Sequence, residues 1–235
     1  MKIIVSNALL KWKEESLESL SFQDGLKVVD VVIDTSKQYQ THMGFGGAFT
    51  DACIINYLKL DKQKREEVIK ALFSKEGLQY NLARYPIHST DFSKETYFYV
   101  DNDDKTLKTF SVEKDKDRLN LVKECLKHCP DMQIFASCWT PLPHMKNNND
   151  PYHGGHLLKE YYQLWADYLA MALKAYEENG VHIDVLSPQN EPMASQVWES
   201  CLYTPEEEAL FIKDYFSWIF TQKSFVIINK HSFSN

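Results

Sequence analysis

The 235-residue sequence has the length and composition of a folded protein with a sizeable hydrophobic core, since 44% of its residues are apolar and 25% are charged. Its net charge is −7 and it contains no basic block. Nucleic acid is therefore disfavoured as a partner, because phosphate binding needs clustered lysine and arginine. No window approaches the ~20 consecutive apolar residues of a membrane span.

The N-terminal segment and the cysteines indicate the cellular compartment. Charged and polar residues interrupt the apolar stretch at the N-terminus, so it does not have the pattern of a signal peptide. The five cysteines are odd in number and never have C-x-x-C spacing, which argues against a disulfide framework and favours a reducing compartment. We expect a cytoplasmic protein, with secretion as the alternative if the true N-terminus is missing.

Predicted strands alternate with predicted helices along most of the chain. The β-branched segment Leu26–Ile33 predicts a strand of a sheet with one solvated face. Short apolar runs bounded by turns predict further strands at Gly44–Phe49, Tyr80–Ile87, Gln133–Cys138, Ile183–Ser187 and, more weakly, Phe225–Ile228. Segments with helical periodicity predict helices at Asp51–Leu72 (in two pieces), Lys114–His128, Leu158–Asn179 and Thr204–Phe220.

The order and spacing of these elements restrict the architecture. The last helix has the clearest start, because Thr204 can cap it, Pro205 suits its first position and Glu207 completes a capping box. Buried strands alternating with helices are typical of parallel βα units, in a doubly wound sheet or a (β/α) barrel. Strands start about 45 residues apart, so eight units need roughly 360 residues, within the range of barrels. The ~190 residues after Gly44 suffice for about half of a barrel.

Chemically capable residues follow the predicted strands, where βα proteins gather their functional groups. The four segments at these strand ends are Gly46–Asp51, Arg84–Phe92, Ser137–Pro143 and Ser187–Pro192. Aromatic faces stack on the C–H groups of sugars, while aspartate, asparagine and arginine bond sugar hydroxyls. Glu191, after the fourth strand, can supply a proton. The inventory favours a sugar-binding site.

Each candidate also has a purely structural interpretation. Glu191 is compatible with an ordinary solvated loop carboxylate. Trp139 and Phe92 are compatible with core positions, and Arg84 with an ion-pair partner of a strand-end aspartate. Asp51 is better explained as a helix-start residue than as a ligand.

Two other kinds of site are disfavoured. Gly44-Phe-Gly-Gly47 lacks the third glycine of a dinucleotide fingerprint, so we discount nucleotide binding. Residue types that can bind metals cluster in two places, Cys125 with His128 and Cys129 on a predicted helix, and His144, His153 and His156 in a loop. Neither cluster has a zinc-site spacing, so we expect no metal.

Five ordered segments between about Gln40 and Tyr215 carry a family resemblance. They are Gly44–Ala52, Asn81–Pro86 with Asp91–Ser93, Trp139–Pro141, Gln189–Pro192 and Trp198–Glu206. Together they resemble glycoside hydrolase family 30, the glucosylceramidase family, with its bacterial branch the most similar. The resemblance implies a (β/α)8 barrel of which residues 44–235 form the first four to five βα units. It also implies that residues 1–43 contribute strands to a side β-domain.

The resemblance further implies retaining hydrolysis of a β-linked glycoside substrate without a cofactor. By position, Glu191 is the general acid/base, Asn190 bonds the sugar 2-hydroxyl, and Asp91 bonds the outer sugar hydroxyls. Trp139 lines the glycone pocket, supported by Arg84 and Phe92.

Trp198 follows the fourth strand, and we expect it to border the leaving-group side of the site. Such an enzyme needs an acid whose pKa is raised by burial or by a nearby carboxylate, and a nucleophilic carboxylate ~5–5.5 Å away from it. The resemblance places the nucleophile on a seventh strand, and no residue of this sequence matches its motif.

The expected function is β-glycoside hydrolysis of the glucosylceramidase type. The alternatives are a β-xylosidase or β-1,6-glucanase of the same family, and a non-catalytic carbohydrate-binding remnant. After Asp214-Tyr215 the sequence departs from the family pattern. A frameshifted tail, a truncated gene and a divergent ending all fit this departure. Because the chain forms only part of a barrel, we expect it to be inactive alone and to self-associate through unclosed barrel edges.

Overall fold

The computed structural model describes residues 3–6, 13–15, 32–216 and 226–227. The chain divides into two compact units, Met1–His42 and Met43–Asn235. Among the described residues, no helix combines the length and the apolar character that a membrane span requires.

The first unit contains a short pair of strands. β1 (Ile3–Val5) and β2 (Lys13–Glu15) pair in antiparallel register, with Ile4 opposite Glu14. The sequence reasoning did not predict this pair. The strand predicted at Leu26–Ile33 lies outside the described residues except for Val32 and Ile33, which are not in a strand.

The second unit alternates parallel strands with helices. Its described strands are β3 (Gly46–Ala48), β4 (Leu82–Ile87), β5 (Gln133–Cys138), β6 (Val185–Ser187) and β7 (Val226–Ile227). Its described α-helices are α1 (Asp51–Leu58), α2 (Lys62–Phe73), α3 (Lys116–Leu126), α4 (Tyr162–Glu178) and α5 (Pro205–Leu210).

The topology of the sheet is that of a partial barrel. The strands are ordered β3-β4-β5-β6-β7, so each strand lies beside its sequence neighbour, and all of these pairs are parallel. A doubly wound sheet reverses its strand order at a switch point, whereas a (β/α) barrel does not. The expected partial (β/α)8 barrel is therefore confirmed, and the doubly wound alternative is excluded.

Most of the predicted elements after Gly44 form, with shorter limits. The segment predicted as a helix in two pieces, Asp51–Leu72, forms α1 and α2. The side chain of Asp61 caps the N-terminus of α2. Thr204, Pro205 and Glu207 form the predicted capping box of α5. The α-helix ends at Leu210 and continues as a π-helical turn over Phe211–Phe216, and the remainder of this predicted helix lies outside the described residues.

One predicted helix is shorter than expected, with a consequence for a candidate cluster. α3 ends at Leu126, so His128 and Cys129 lie beyond it, in a turn where Cys129 N donates to the carbonyl of Cys125 at 3.1 Å. A 3₁₀ turn at Glu113–Asp115 precedes α3.

The core lies between the sheet and its helices, and the two faces of the sheet differ in burial. Tyr85, Ala136 and Leu186 are fully buried. Arg84 and Phe135, which lie opposite one another in neighbouring strands, are only half-buried on the other face. Side chains of successive strand residues point to opposite faces, so Arg84 projects into the partial barrel.

A glycine sets the close approach of β3 to β4. A Cβ atom on Gly46 would lie 1.7 Å from the carbonyl oxygen of Leu82, which no side chain tolerates. Gly46 thus allows β3 to pair with β4 next to the site.

Candidate active site

The carboxyl ends of β4, β5 and β6 meet at one edge of the sheet. Ile87 lies opposite Cys138, and Ser137 lies opposite Ser187. Beyond the last ladder pair, the backbone N–H of Asn190 donates to the carbonyl of Cys138 at 2.6 Å. This bond brings the segment that follows β6 beside Trp139, which directly follows β5.

Arg84 links the predicted residues of three strands. Its Nη2 donates to Oδ1 of Asn190 at 2.6 Å, and its guanidinium lies 4.5 Å from the ring centroid of Trp139. Burial lowers the pKa of Arg84, while the negative charges of Glu191 and Asp91 oppose this shift. Arg84 therefore supports an amide and an aromatic ring, and among the described residues it forms no ion pair with a strand-end aspartate.

The segment Gln189–Glu191 is fixed by its own backbone and by β5. Nε2 of Gln189 donates to the carbonyls of Trp139, at 2.7 Å, and Asn190, at 2.8 Å. Glu191 has a φ of 45°, a left-handed conformation that is uncommon for residues other than glycine. Such strained residues persist where their surroundings fix them, and they cluster at functional sites.

The carboxylate of Glu191 is exposed and makes no hydrogen bond or ion pair with the described residues. Of the two environments expected for the acid, burial or a nearby carboxylate, burial is therefore not present among the described residues. Its backbone is nevertheless anchored, since Ala194 N donates to the carbonyl of Glu191 at 2.9 Å and Tyr203 N to that of Pro192 at 2.8 Å.

Asp91 lies in the turn after β4, close to Trp139. Burial is the main cause of the raised pKa of Asp91, and the negative charges of Glu199 and Glu191 raise it further. A hydrogen bond from the Trp139 side chain opposes this shift. Trp139 itself is buried, with 6% of its surface exposed.

Phe92 and Trp198 occupy less defined positions. Phe92 is 56% exposed, which rules out the core interpretation, and its carbonyl accepts a hydrogen bond from Ala52 N at 3.0 Å. Trp198 is half-buried on the loop between β6 and α5. The structure brings Arg84, Trp139 and Asn190 together, with Asp91 beside Trp139. The roles of these four residues, and of Glu191, Phe92 and Trp198, in a sugar site all stay predictions.

The candidate metal clusters have other partners. Nδ1 of His153 contacts Asp150 at 2.8 Å, and Nδ1 of His156 contacts Glu207 at 3.2 Å. His144 packs edge-on against Tyr161. Within the described ranges, no group of three His, Cys, Asp or Glu side chains is arranged to hold a metal ion.

A buried cluster of hydrogen bonds around Lys146, which the sequence reasoning missed, joins the loops after β5 and β6. Nζ of Lys146 donates to the carbonyls of Ser200, at 2.7 Å, and Asp150, at 2.5 Å. Burial lowers the pKa of Lys146 to about 8. Glu199, next to Ser200 in the sequence, is also buried. Nothing in the local sequence Trp198-Glu199-Ser200 predicts that its glutamate is buried.

Comparison with known proteins decides the family. A family model for the glycosyl hydrolase family 30 TIM-barrel domain matches residues 42–223. The chain belongs to glycosyl hydrolase family 30. It is 32% identical over 194 residues to the lysosomal acid glucosylceramidase of Mus musculus, covering 77% of this chain and 38% of that protein.

Two solved structures resemble the described fold. SrfJ from Salmonella typhimurium is 35% identical with a TM-score of 0.77, covering 80% of this chain and 43% of that one. The endo-β1,6-glucanase BT3312 is 29% identical with a TM-score of 0.76, covering 83% and 45%. The chain thus spans less than half the length of these family members.

Proposed function

We propose that this chain contributes the proton-donor half of a retaining β-glycosidase site, with Glu191 as the general acid/base. The observation that carries the proposal is the cluster in which Arg84 contacts both Asn190 and Trp139, directly beside Glu191. In this family fold, substrates bind at the carboxyl ends of the strands, where this cluster lies. The cluster thus holds a proton donor next to groups suited to a sugar.

The hydrogen bonds of the cluster fit the predicted role of Asn190. Because Arg84 donates to Oδ1 of Asn190, the NH₂ group of the amide is left without a partner among the described residues. That group can donate to the 2-hydroxyl of a sugar whose C1 faces Glu191. A bond of this kind strengthens as charge develops on the ring in the transition state.

In the proposed reaction, Glu191 protonates the glycosidic oxygen while a second carboxylate attacks C1 from the opposite face. Water then hydrolyses the glycosyl–enzyme intermediate, with Glu191 acting as base. We assign the second carboxylate to a part of the barrel outside this sequence and nominate no residue of this chain. Asp91 accepts hydrogen bonds from the outer hydroxyls of the sugar, oriented by Trp139.

The proposed substrate is a β-glucoside with a lipid-like leaving group, on the similarity to the glucosylceramidase of Mus musculus. The second candidate is a β-1,6-linked glucan, favoured by the similarity to BT3312. Two substrates discriminate between these candidates. One is an alkyl β-glucoside, and the other is gentiobiose, a β-1,6-linked disaccharide.

The test requires a complete barrel around the full chain. We would co-express the 235-residue chain with the part of SrfJ that follows its matching region, and assay an alkyl β-glucoside and a nitrophenyl β-glucoside. Glu191→Gln should reduce hydrolysis of the alkyl glucoside about 10²–10⁴-fold, because its leaving group needs protonation. The nitrophenyl glucoside should lose much less in the glycosylation step, because nitrophenolate departs unprotonated.

The matched control is Glu206→Gln, an exposed glutamate in the first turn of α5, which should behave as the unmodified chain. Equal losses on both substrates would contradict the acid role. Absence of turnover of every β-glycoside by the unmodified pair would reject the proposed function.

A further inference from the structure

Glu199 is a buried carboxylate with few partners. It lies between β6 and α5 with 4% of its surface exposed, and its Oε1 accepts a hydrogen bond from Oγ1 of Thr96 at 2.9 Å. Among the described residues, its side chain makes no ion pair and no second hydrogen bond. Burying a carboxylate is costly unless a cation or several donors compensate it. Within the part of the chain that the structure describes, Oε2 is therefore an acceptor without a donor.

The burial of Glu199 is imposed by the adjacent backbone. The hydroxyl of Ser200 accepts from Gly154 N at 2.9 Å and from Gln196 N at 3.1 Å. The carbonyl of Ser200 accepts from Lys146 Nζ at 2.7 Å, and its N–H donates to the carbonyl of Pro151 at 3.1 Å. These bonds fix the backbone immediately after Glu199, and they thereby fix the direction in which its side chain leaves the backbone.

Glu199 also lies among the loops that carry the candidate site. Thr96 belongs to the loop after β4, as Asp91 does, and its Oγ1 lies 2.6 Å from the hydroxyl of Tyr152 in the loop after β5. The charge of Glu199 contributes to the raised pKa of Asp91, so the two carboxylates lie within electrostatic reach of one another. The bond between Thr96 and Glu199 thus joins the loops after β4 and β6, which carry Asp91 and Glu199.

We propose that Glu199 is a sugar-binding residue, whose Oε2 accepts a hydrogen bond from an outer hydroxyl of the bound sugar beside Asp91. The inference rests on the proposed function. It explains why a buried carboxylate is held rigidly with an unused acceptor, since preorganised acceptors favour a ligand that brings the missing donor. It makes Glu199 a specificity residue for sugars with free hydroxyls on the outer ring edge.

The experiment measures binding to the 235-residue chain, which needs no nucleophile. Methyl β-D-glucoside is compared with its 3-, 4- and 6-deoxyfluoro analogues by ligand-observed NMR, because fluorine cannot donate a hydrogen bond. We expect one analogue to bind about tenfold more weakly than the parent. Glu199→Gln should weaken binding of the parent about tenfold and abolish the difference between the parent and that analogue.

Two controls keep the result specific. Glu206→Gln should retain the profile of the unmodified chain. Thr96→Val removes the donor to Oε1 and leaves the carboxylate, so it should also retain the preference among analogues. A preference lost in Thr96→Val but kept in Glu199→Gln would assign the contact to the threonine hydroxyl and overturn the proposal.

Other outcomes also decide against it. No measurable binding of the parent, or an unchanged profile in Glu199→Gln, would overturn the role of Glu199. A sensitivity confined to hydroxyls of the leaving group, measured with gentiobiose, would do the same. If Glu191-dependent hydrolysis persists in the co-expressed pair while the Glu199→Gln profile is unchanged, only this inference fails and the proposed function stands.

Discussion

Neighbouring residues of β4 contribute to two polar clusters on opposite faces of the sheet, and the clusters differ in how far their groups are satisfied. On the helix side, Asp115 accepts hydrogen bonds from the hydroxyls of Tyr85, at 3.0 Å, Tyr97, at 2.8 Å, and Tyr99, and from Nη1 of Arg118 at 2.8 Å. Asp115 and Arg118 are almost completely buried. This cluster is closed, because its central carboxylate already has its donors.

The cluster on the barrel side is open. Arg84 uses one donor on Asn190, whose NH₂ group stays unpaired among the described residues, and Glu191 is exposed. One carboxylate oxygen of Glu199, on the loop after β6, also has no partner among the described residues. Satisfied buried networks stabilise and rigidify a fold, whereas unused groups held in place favour a ligand. The comparison separates structural charges from candidate functional ones, although both sets contain arginine and carboxylates.

Breaking the closed cluster should have the largest effect on stability. Arg118→Met removes the cation that faces the buried Asp115 and should lower the free energy of unfolding by about 3–5 kcal/mol. Chemical denaturation of the 235-residue chain measures this. Lys70→Met, which breaks an exposed pair with Glu66, should change stability by less than ~0.5 kcal/mol. Similar effects of the two changes would show that the closed cluster is not a stabilising network.

The second prediction concerns His88, which lies at the end of β4 between the clusters. It is fully buried with a φ of 52°, and burial lowers its pKa to about 3. Between that pH and ~6.5 the unfolded chain binds a proton that the folded chain does not, so stability falls as pH falls. Between pH 6.5 and 4, the decrease in the free energy of unfolding should be about 3 kcal/mol smaller in His88→Asn than in the unmodified chain. Asparagine tolerates the left-handed backbone.

The measurement for His88 is the free energy of unfolding against pH for both chains. The difference between the two curves isolates His88 from the carboxylates, which titrate in both. Parallel curves over this range would mean that His88 is not buried in its neutral form.

Removing the Arg84 contacts of the barrel-side cluster should weaken sugar binding and leave the free energy of unfolding nearly unchanged. Arg84→Met removes the charged hydrogen bond to Asn190 and should weaken binding of methyl β-D-glucoside about tenfold or more. Because Arg84 is only half-buried, stability should change by less than ~1 kcal/mol. Arg84→Lys keeps the positive charge and loses the guanidinium that lies against Trp139. Its affinity for methyl β-D-glucoside should therefore lie between those of the unmodified chain and Arg84→Met. A large loss of stability in Arg84→Met would place this cluster with the closed one.

The smallest effect is expected at Trp198, which we predict to border the leaving-group side of the site. Trp198→Ala should raise KM several-fold for glucosides with bulky leaving groups and change it little for methyl β-glucoside, because an aromatic ring stacks on apolar groups that only the bulky leaving groups bring. Steady-state kinetics of the co-expressed pair test this. Equal changes for both substrate types would reject the leaving-group position of Trp198.

Local signals predicted most of the described barrel elements. Thr204, Pro205 and Glu207 specify the start of α5 through bonds within one helical turn, which depend little on the rest of the fold. The strand Gln133–Cys138 was predicted with its observed limits, since its β-branched and apolar residues are bounded by clear turn residues. Helix ends such as that of α3 were less predictable, because they depend on packing against neighbouring elements.

The sequence by itself determined the parallel βα order, the family resemblance and the positions of Arg84, Asp91, Trp139, Asn190 and Glu191 at strand ends. These follow from periodicity and from residue types at fixed places along the chain. Only the tertiary structure decided which charges are buried and what satisfies them. Asp51 starts α1 as predicted, yet it also pairs with Arg118, 67 residues away. Glu199 and Lys146 appear as ordinary charged loop residues in the sequence, and only contacts between distant loops bury them, because burial is a property of the whole fold and not of any local segment.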